Sequence, residues 1–107
     1  MSLSISALSL PALAGQTEAE ASVNRADAKI EMVTRQAGQA DDQSFNMARQ
    51  RLVDARAAYK SEHYDKAEML ADEASLLASL TSEKAILAAL QTSHDNLAAT
   101  AVATQVQ

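Results

Sequence analysis

The chain has 107 residues, a formal net charge of −5 and no cysteine. Its length fits one domain, and the lack of cysteine excludes disulfides, thiol nucleophiles and thiolate metal ligands. The acidic balance argues against nucleic-acid binding, because neutralising phosphates takes a clustered excess of Lys and Arg. With two glycines and one proline, strands have little support, and the many alanines favour closely packed helices. We therefore expect an all-α chain.

Residues 1–16, MSLSISALSLPALAGQ, carry no charge and contain a short apolar run. Within them Ala12-Leu13-Ala14 matches the A-x-A pattern that precedes signal-peptidase cleavage. The run is too short to cross a bilayer, which takes about 20 apolar residues. A complete export signal also carries Lys or Arg near its start, and none lies near Met1. We therefore interpret this segment as the remnant of an export signal. The alternative is a disordered apolar tail, and either interpretation predicts poor order.

A first helix is predicted from Thr17 to Gly38. Thr17 is a suitable N-cap, with Glu18 and Glu20 in the first turn, and Gly38 is a suitable C-terminal stop. Between them apolar residues recur in alternating steps of four and three, as in an amphipathic helix. This stripe is expected to dock on the rest of the chain, with a coiled-coil seam for a partner as the alternative. Its members are Ala19, Val23, Ala26, Ile30, Val33 and Ala37.

A helical hairpin follows. Asp41 or Asp42 caps its first helix, which is basic, and its second helix begins near Asp65 with acidic turns. Opposite charges favour antiparallel pairing of the two helices, with two separately solvated charged stripes as the alternative. Tyr59 and Tyr64 are expected to close the turn between the helices. The apolar stripe of the basic helix is Phe45, Ala48, Leu52, Ala55 and Tyr59. The charged positions are Arg49, Arg51, Arg56 and Lys60 on one helix, and Asp65, Glu68, Asp72 and Glu73 on the other.

The third helix is predicted to be the longest, at about 33 residues or roughly 50 Å. One face carries mainly small residues: Tyr64, Ala67, Leu70, Ala71, Ala74, Leu77 and Ala78. A heptad-like leucine seam continues from Leu76, with Glu83 and His94 at two of its core-type positions. Since this helix outlasts its partners, the seam beyond residue 80 would be covered by the first helix or by another chain. The candidate partner-binding residues are Leu80, Leu87, Leu90 and Leu97.

No pattern indicates catalysis. The sequence has no Gly-rich phosphate loop, no HExxH motif and no cluster of metal ligands. We predict no catalytic, cofactor-binding or metal-ligating residues, and therefore a protein that is not an enzyme and needs no cofactor.

The central stretch MARQRLVDARAAYKSEHYDKAEMLADEASLLASLTSEKA resembles the bacterial domain of unknown function 4398, an alanine-rich helical family. The residues that carry the resemblance are Ala48, Leu52, Ala55, Ala58, Tyr64, Ala67, Leu70, Ala71 and Ala74. The family often has Gly-Asp before the tyrosine, where this chain has Glu62-His63. The resemblance implies export to the bacterial cell envelope and no specific activity.

These observations predict an antiparallel three-helix bundle over residues 17–99, with a long, coiled-coil-like third helix and a frayed tail at 100–107. The expected function is that of a non-enzymatic periplasmic or envelope domain acting through protein or cell-envelope contacts. One alternative is a self-associating structural coiled coil. Another is a tetratricopeptide-like peptide-binding module, since the hairpin contains one Y-x-x-A unit. Neither nucleic-acid binding nor a transmembrane segment is expected.

Overall fold

Three helices make up the described part of the chain. The structure is a computed structural model that describes the backbone of residues 3–37 and 42–106, and the side chains of residues 15–36 and 42–105. Helix α1 spans Leu3–Ala37, α2 spans Gln43–Lys60 and α3 spans Tyr64–Val106. Helix α3 packs against both other helices, and no strand occurs in the described ranges. The fold is an all-α bundle, as the sequence predicts.

The start of the first helix was predicted wrongly. Helix α1 begins at Leu3 and passes through Thr17 without interruption, so Thr17 is not its N-cap. The preceding segment is rich in leucine and alanine, which favour helix, and its backbone is helical from Leu3 despite Pro11, so the chain is already helical when it reaches Thr17. At the other end the last helical residue is Ala37, and the expected stop at Gly38 lies outside the described residues. Helix α3 likewise extends past residue 99, where we expect fraying, as far as Val106.

One of the two predicted caps of helix α2 is present. The carboxylate of Asp42 accepts a hydrogen bond from the Ser44 backbone N–H at 2.9 Å, which makes Asp42 the N-cap of α2. Asp41 lies outside the described residues. Helix α3 starts at Tyr64, one residue before the predicted Asp65. The carbonyl of His63 accepts from the Ala67 N–H at 2.9 Å, so His63 leads directly into that helix.

The core is built mainly from alanines. The predicted stripes of all three helices meet in one cluster, in which the largest fully buried side chains are Phe45 and Val33. Because an alanine side chain is one methyl group, the helices can approach closely and the core is thin. Val23, Tyr59, Tyr64 and Leu77 are partly buried against it. The buried members are Ala19, Ala26, Ile30, Val33, Phe45, Ala48, Leu52, Ala55, Ala58, Ala67, Leu70, Ala71, Ala74 and Ala78.

Surface ion pairs join all three helices, whereas the sequence predicts pairing of α2 with α3. Arg51 of α2 lies 2.9 Å from Glu73 of α3, as expected. Arg56 instead reaches Asp27 of α1 at 2.8 Å. The guanidinium of Arg49 lies over the Phe45 ring at 4.4 Å. These partly exposed pairs each contribute about 0–1 kcal/mol, so they favour one arrangement of the helices more than they stabilise it.

The helices are staggered along the bundle axis. Helix α1 runs parallel to α3, and a Cβ atom built on Gly15 would lie 3.9 Å from the Tyr64 Cβ, at the first residue of α3. At the other end the Ser82 hydroxyl donates to the Gln36 side chain at 3.1 Å. Beyond that point every described side chain of α3, from Glu83 to Gln105, is exposed. The molecule is therefore a rod, with extents of 90 × 21 × 17 Å.

Candidate interaction surface

The four leucines predicted to bind a partner are exposed to solvent. Their exposed fractions are 42% for Leu80, 64% for Leu87, 61% for Leu90 and 71% for Leu97. They define a surface that we call the leucine seam, which follows one face of α3 over about 26 Å. Large apolar side chains aligned at helical spacing and left in solvent are the usual mark of a surface that another element covers.

The leucine seam faces away from the bundle core. Each helical residue turns by about 100°, so a residue two positions after a core residue lies about 200° around the helix. Leu80 follows the buried Ala78 by two positions, and Leu76, 72% exposed, follows the buried Ala74 in the same way. The seam therefore begins on the outer side of α3 while the helix is still in the bundle. It continues along the part of α3 that extends beyond it.

Neither α1 nor α2 covers the C-terminal part of the seam. Helix α1 has its last residue at Ala37, and its Gln36 side chain contacts Ser82. Helix α2 begins beside Lys84, whose ammonium lies 3.0 Å from the Ser44 hydroxyl and 3.7 Å from the Asp42 carboxylate. Of the two coverings expected from the sequence, α1 is excluded for the described residues.

Four further exposed apolar residues of α3 lie outside the predicted partner-binding set: Met69, Leu76, Ile86 and Val102. Leu76 belongs to the seam itself, and Ile86 and Val102 are 54% and 60% exposed. Ile86 and Val102 flank the seam, at positions outside its alternating steps of three and four residues. Ile86 directly precedes Leu87, and this adjacency is the signal that could have identified it.

Two polar residues interrupt the leucines. Glu83 and His94 occupy seam positions and both are exposed. The His94 Nδ1 atom lies 3.7 Å from the carboxylate of its neighbour Asp95, with both side chains mostly in water. At that distance and exposure the contact contributes little. Neither seam position therefore has a strong electrostatic partner in the described chain.

In the described part of the chain no group of three or more His, Asp or Glu side chains is placed to hold a metal ion. A groove of about 450 Å³ between α1 and α2 is lined by Glu20, Val23, Asn24, Arg56, Tyr59 and Lys60. The Tyr59 hydroxyl at its edge accepts a hydrogen bond from the Gln16 amide at 3.3 Å. No described helix has the length and apolar character needed to cross a membrane.

Comparison with known proteins returns no relative. No family model matches the chain, and no curated protein or solved structure matches it either.

Proposed function

We propose that this chain is a non-enzymatic helical domain of the bacterial cell envelope that acts by docking another helix along the leucine seam. The observation that carries the proposal is the exposure of Leu80, Leu87, Leu90 and Leu97 on the outer face of α3. A heptad seam of this kind suits a second helix, because each leucine can insert between the side chains of the partner.

Energetics support a docked partner. Burying a leucine fully contributes about 1.5–3 kcal/mol, and each of the four now keeps between 42% and 71% of its surface in water. The part of α3 beyond the bundle also has no tertiary packing from the described chain. Isolated helices gain little from propensity alone, so a docked partner would stabilise this segment as well.

The envelope assignment is supported by the N-terminal segment. It is uncharged and apolar and carries Ala12-Leu13-Ala14, the small-residue pattern at which export signals are cleaved. Cleavage after Ala14 would leave Gly15, which lies beside the first residue of α3, as the new terminus. Helix α1 would then begin level with the first residue of α3. The resemblance to domain of unknown function 4398 implies the same compartment.

A peptide-binding role like that of a tetratricopeptide hairpin is less well supported. Such a hairpin binds peptides on a face that its own chain leaves open. Here α1 packs on the inner face of the α2–α3 hairpin, where Val33 and Ile30 join the hairpin's buried residues. That face is therefore already filled by apolar side chains of the same chain.

Site-specific photocrosslinking in the native host tests the docking role. A photoreactive amino acid replaces Leu87 in one variant and Val53 in another. Val53 is a matched control, since it is 57% exposed but lies on α2. We expect a defined adduct from position 87 and none from position 53. Equal labelling at both positions, or no adduct at 87, would overturn the docking proposal.

A separate experiment tests the compartment. The full precursor is fused to a reporter enzyme that becomes active only after export. Activity in the periplasm is expected, and a reporter that stays inactive in the cytoplasm would refute the envelope assignment without affecting the docking role.

A further inference from the structure

We infer that the partner of the leucine seam is the same seam of a second copy, aligned antiparallel about a two-fold axis between Ala88 and Ala89. This inference rests on the proposed docking role and names its partner. What carries it is the order of side chains along the exposed face of α3. When a second copy runs in the opposite direction, leucines face leucines and Glu83 faces His94.

In antiparallel helix pairs, each seam residue faces a seam residue of the opposite helix, and the facing residues step in opposite directions. With the axis between Ala88 and Ala89, the leucines of the seam face one another, and the acid at a seam position faces the imidazole at a seam position. The facing pairs are Leu80 with Leu97, Glu83 with His94, and Leu87 with Leu90, each formed twice by symmetry.

Other alignments lose this match. A parallel pair in register would set Glu83 against Glu83 and His94 against His94, so that like groups face each other. Sliding the antiparallel pair by one heptad in one direction places His94 against Leu90. Sliding it in the other direction places Glu83 against Leu87. Each slide buries a polar group on a leucine, which is unfavourable when the group finds no hydrogen-bond partner.

The bundle leaves room for the second copy. The leucine seam lies on the side of α3 away from the core, and all described side chains from Glu83 to Gln105 are exposed. An antiparallel second helix would run beside Leu97 at one end and Leu80 at the other. The two bundles would then lie at opposite ends of the paired helices, where they do not compete for space.

The remaining charges of this segment do not oppose the alignment. Besides Glu83 and His94, its ionisable side chains are Lys84 and Asp95. Lys84 would lie next to the uncharged Gln91 of the second copy while keeping its contact with Ser44. Asp95 follows His94 by one position, about 100° around the helix, and so lies off the seam.

Disulfide trapping tests the register directly, because the chain has no cysteine of its own. Glu83→Cys and His94→Cys variants are prepared separately and then mixed under mild oxidation. We expect a covalent dimer from the mixture and none from either variant alone, since only the pair comes within disulfide distance. A mixture of Glu83→Cys and Asp95→Cys is the control and should stay unlinked. Linking within a single variant would indicate a parallel pair and overturn the inference.

Sedimentation equilibrium measures the association itself. The unmodified chain should show a reversible monomer–dimer equilibrium. Leu87→Glu/Leu90→Glu should be monomeric with an unchanged unfolding transition of the bundle, whereas Val53→Glu should dimerise normally. Glu83→Lys should weaken dimerisation by about tenfold, since both copies lose a favourable pair. Adding His94→Glu should recover most of that loss, because the introduced lysine and glutamate then face each other across the interface.

The outcomes separate this inference from the proposed function. An in-cell adduct from position 87 with twice the mass of the chain supports both. An adduct of another mass, together with a purified chain that stays monomeric at high micromolar concentration, keeps the docking role and overturns the second copy as partner. A dimer that survives Leu87→Glu/Leu90→Glu overturns the seam as the interface.

Discussion

The His63 backbone N–H donates to the Ala58 carbonyl at 2.9 Å, across the end of α2. With the Glu62 N–H donating to the Tyr59 carbonyl at 3.0 Å, this closes a Schellman motif. The motif requires a left-handed conformation at the residue just after the last helical turn. That residue is Glu62, which has a φ of 65°. That conformation costs a residue with a Cβ atom about 1–2 kcal/mol, and glycine adopts it freely.

Glu62→Gly should therefore stabilise the protein by about 1 kcal/mol, measured as the free energy of unfolding in urea. Ser61→Gly is the control, because Ser61 has an ordinary φ of −87°. There glycine only adds freedom to the unfolded chain, so a loss of about 0.5–1 kcal/mol is expected. Equal effects at the two positions would show that the turn is not formed as described.

Truncation of the core should be costly at two leucines. Leu52 and Leu70 are 5% and 8% exposed, so replacing either with alanine should cost about 2–4 kcal/mol. Val53→Ala, at a mostly exposed neighbouring position, should change stability by less than about 0.5 kcal/mol. Thermal or urea unfolding measures all three, and unchanged stability in Leu52→Ala and Leu70→Ala would contradict the assigned buried face.

The pKa of Tyr64 should lie above the ordinary tyrosine value of 10.0. Burial of the hydroxyl is the largest cause, and Glu62 and Tyr59 add to it. The unfolded chain then releases this proton at lower pH than the folded protein does. The stability linked to Tyr64 is therefore fully present below pH 10.0 and falls as pH rises through the raised pKa.

Ultraviolet titration of tyrosinate measures this shift. Tyr64 is the only tyrosine left in a Tyr59→Phe variant, and adding Glu62→Gln should lower its pKa, because the acid then no longer repels the phenolate. A Tyr64 pKa at the ordinary value in the first variant would contradict the described environment.

Removal of residues 1–14 should leave the bundle intact. A chain beginning at Gly15 keeps every residue of the described core and should lose less than about 0.5 kcal/mol. A chain beginning at Asp27 lacks Ala19 and Ala26 and should be strongly destabilised. If the shorter deletion is also costly, the segment belongs to the fold and its interpretation as a signal remnant fails.

Much of the architecture follows from local patterns. The buried stripes were predictable because helical periodicity forces residues such as Ala26 and Ile30 onto one face, and Asp42 was identifiable as a cap by residue type. The beginning of α1 was not, since Thr17 is a good cap only where the preceding chain is not already helical. The pairing of Arg56 with Asp27 depends on where α1 lies beside the hairpin, and no local pattern contains that position.

The candidate site shows the same division. Heptad spacing identified Leu80, Leu87, Leu90 and Leu97 as one face of a helix. Their exposure depended on which face of α3 the other two helices cover, and that emerges only from the assembled bundle. The complementarity of Glu83 and His94 is present in the sequence, but it has meaning only once both side chains are known to face outward.

The stagger of the helices gives the molecule an unusual hydrodynamic size. Its radius of gyration is 21.5 Å, which a compact domain reaches only at roughly 400 residues. A single copy should therefore tumble slowly and leave a sizing column early, as a much heavier sphere would. Counting copies requires a method that reports mass directly, because elution volume reports the length of the rod.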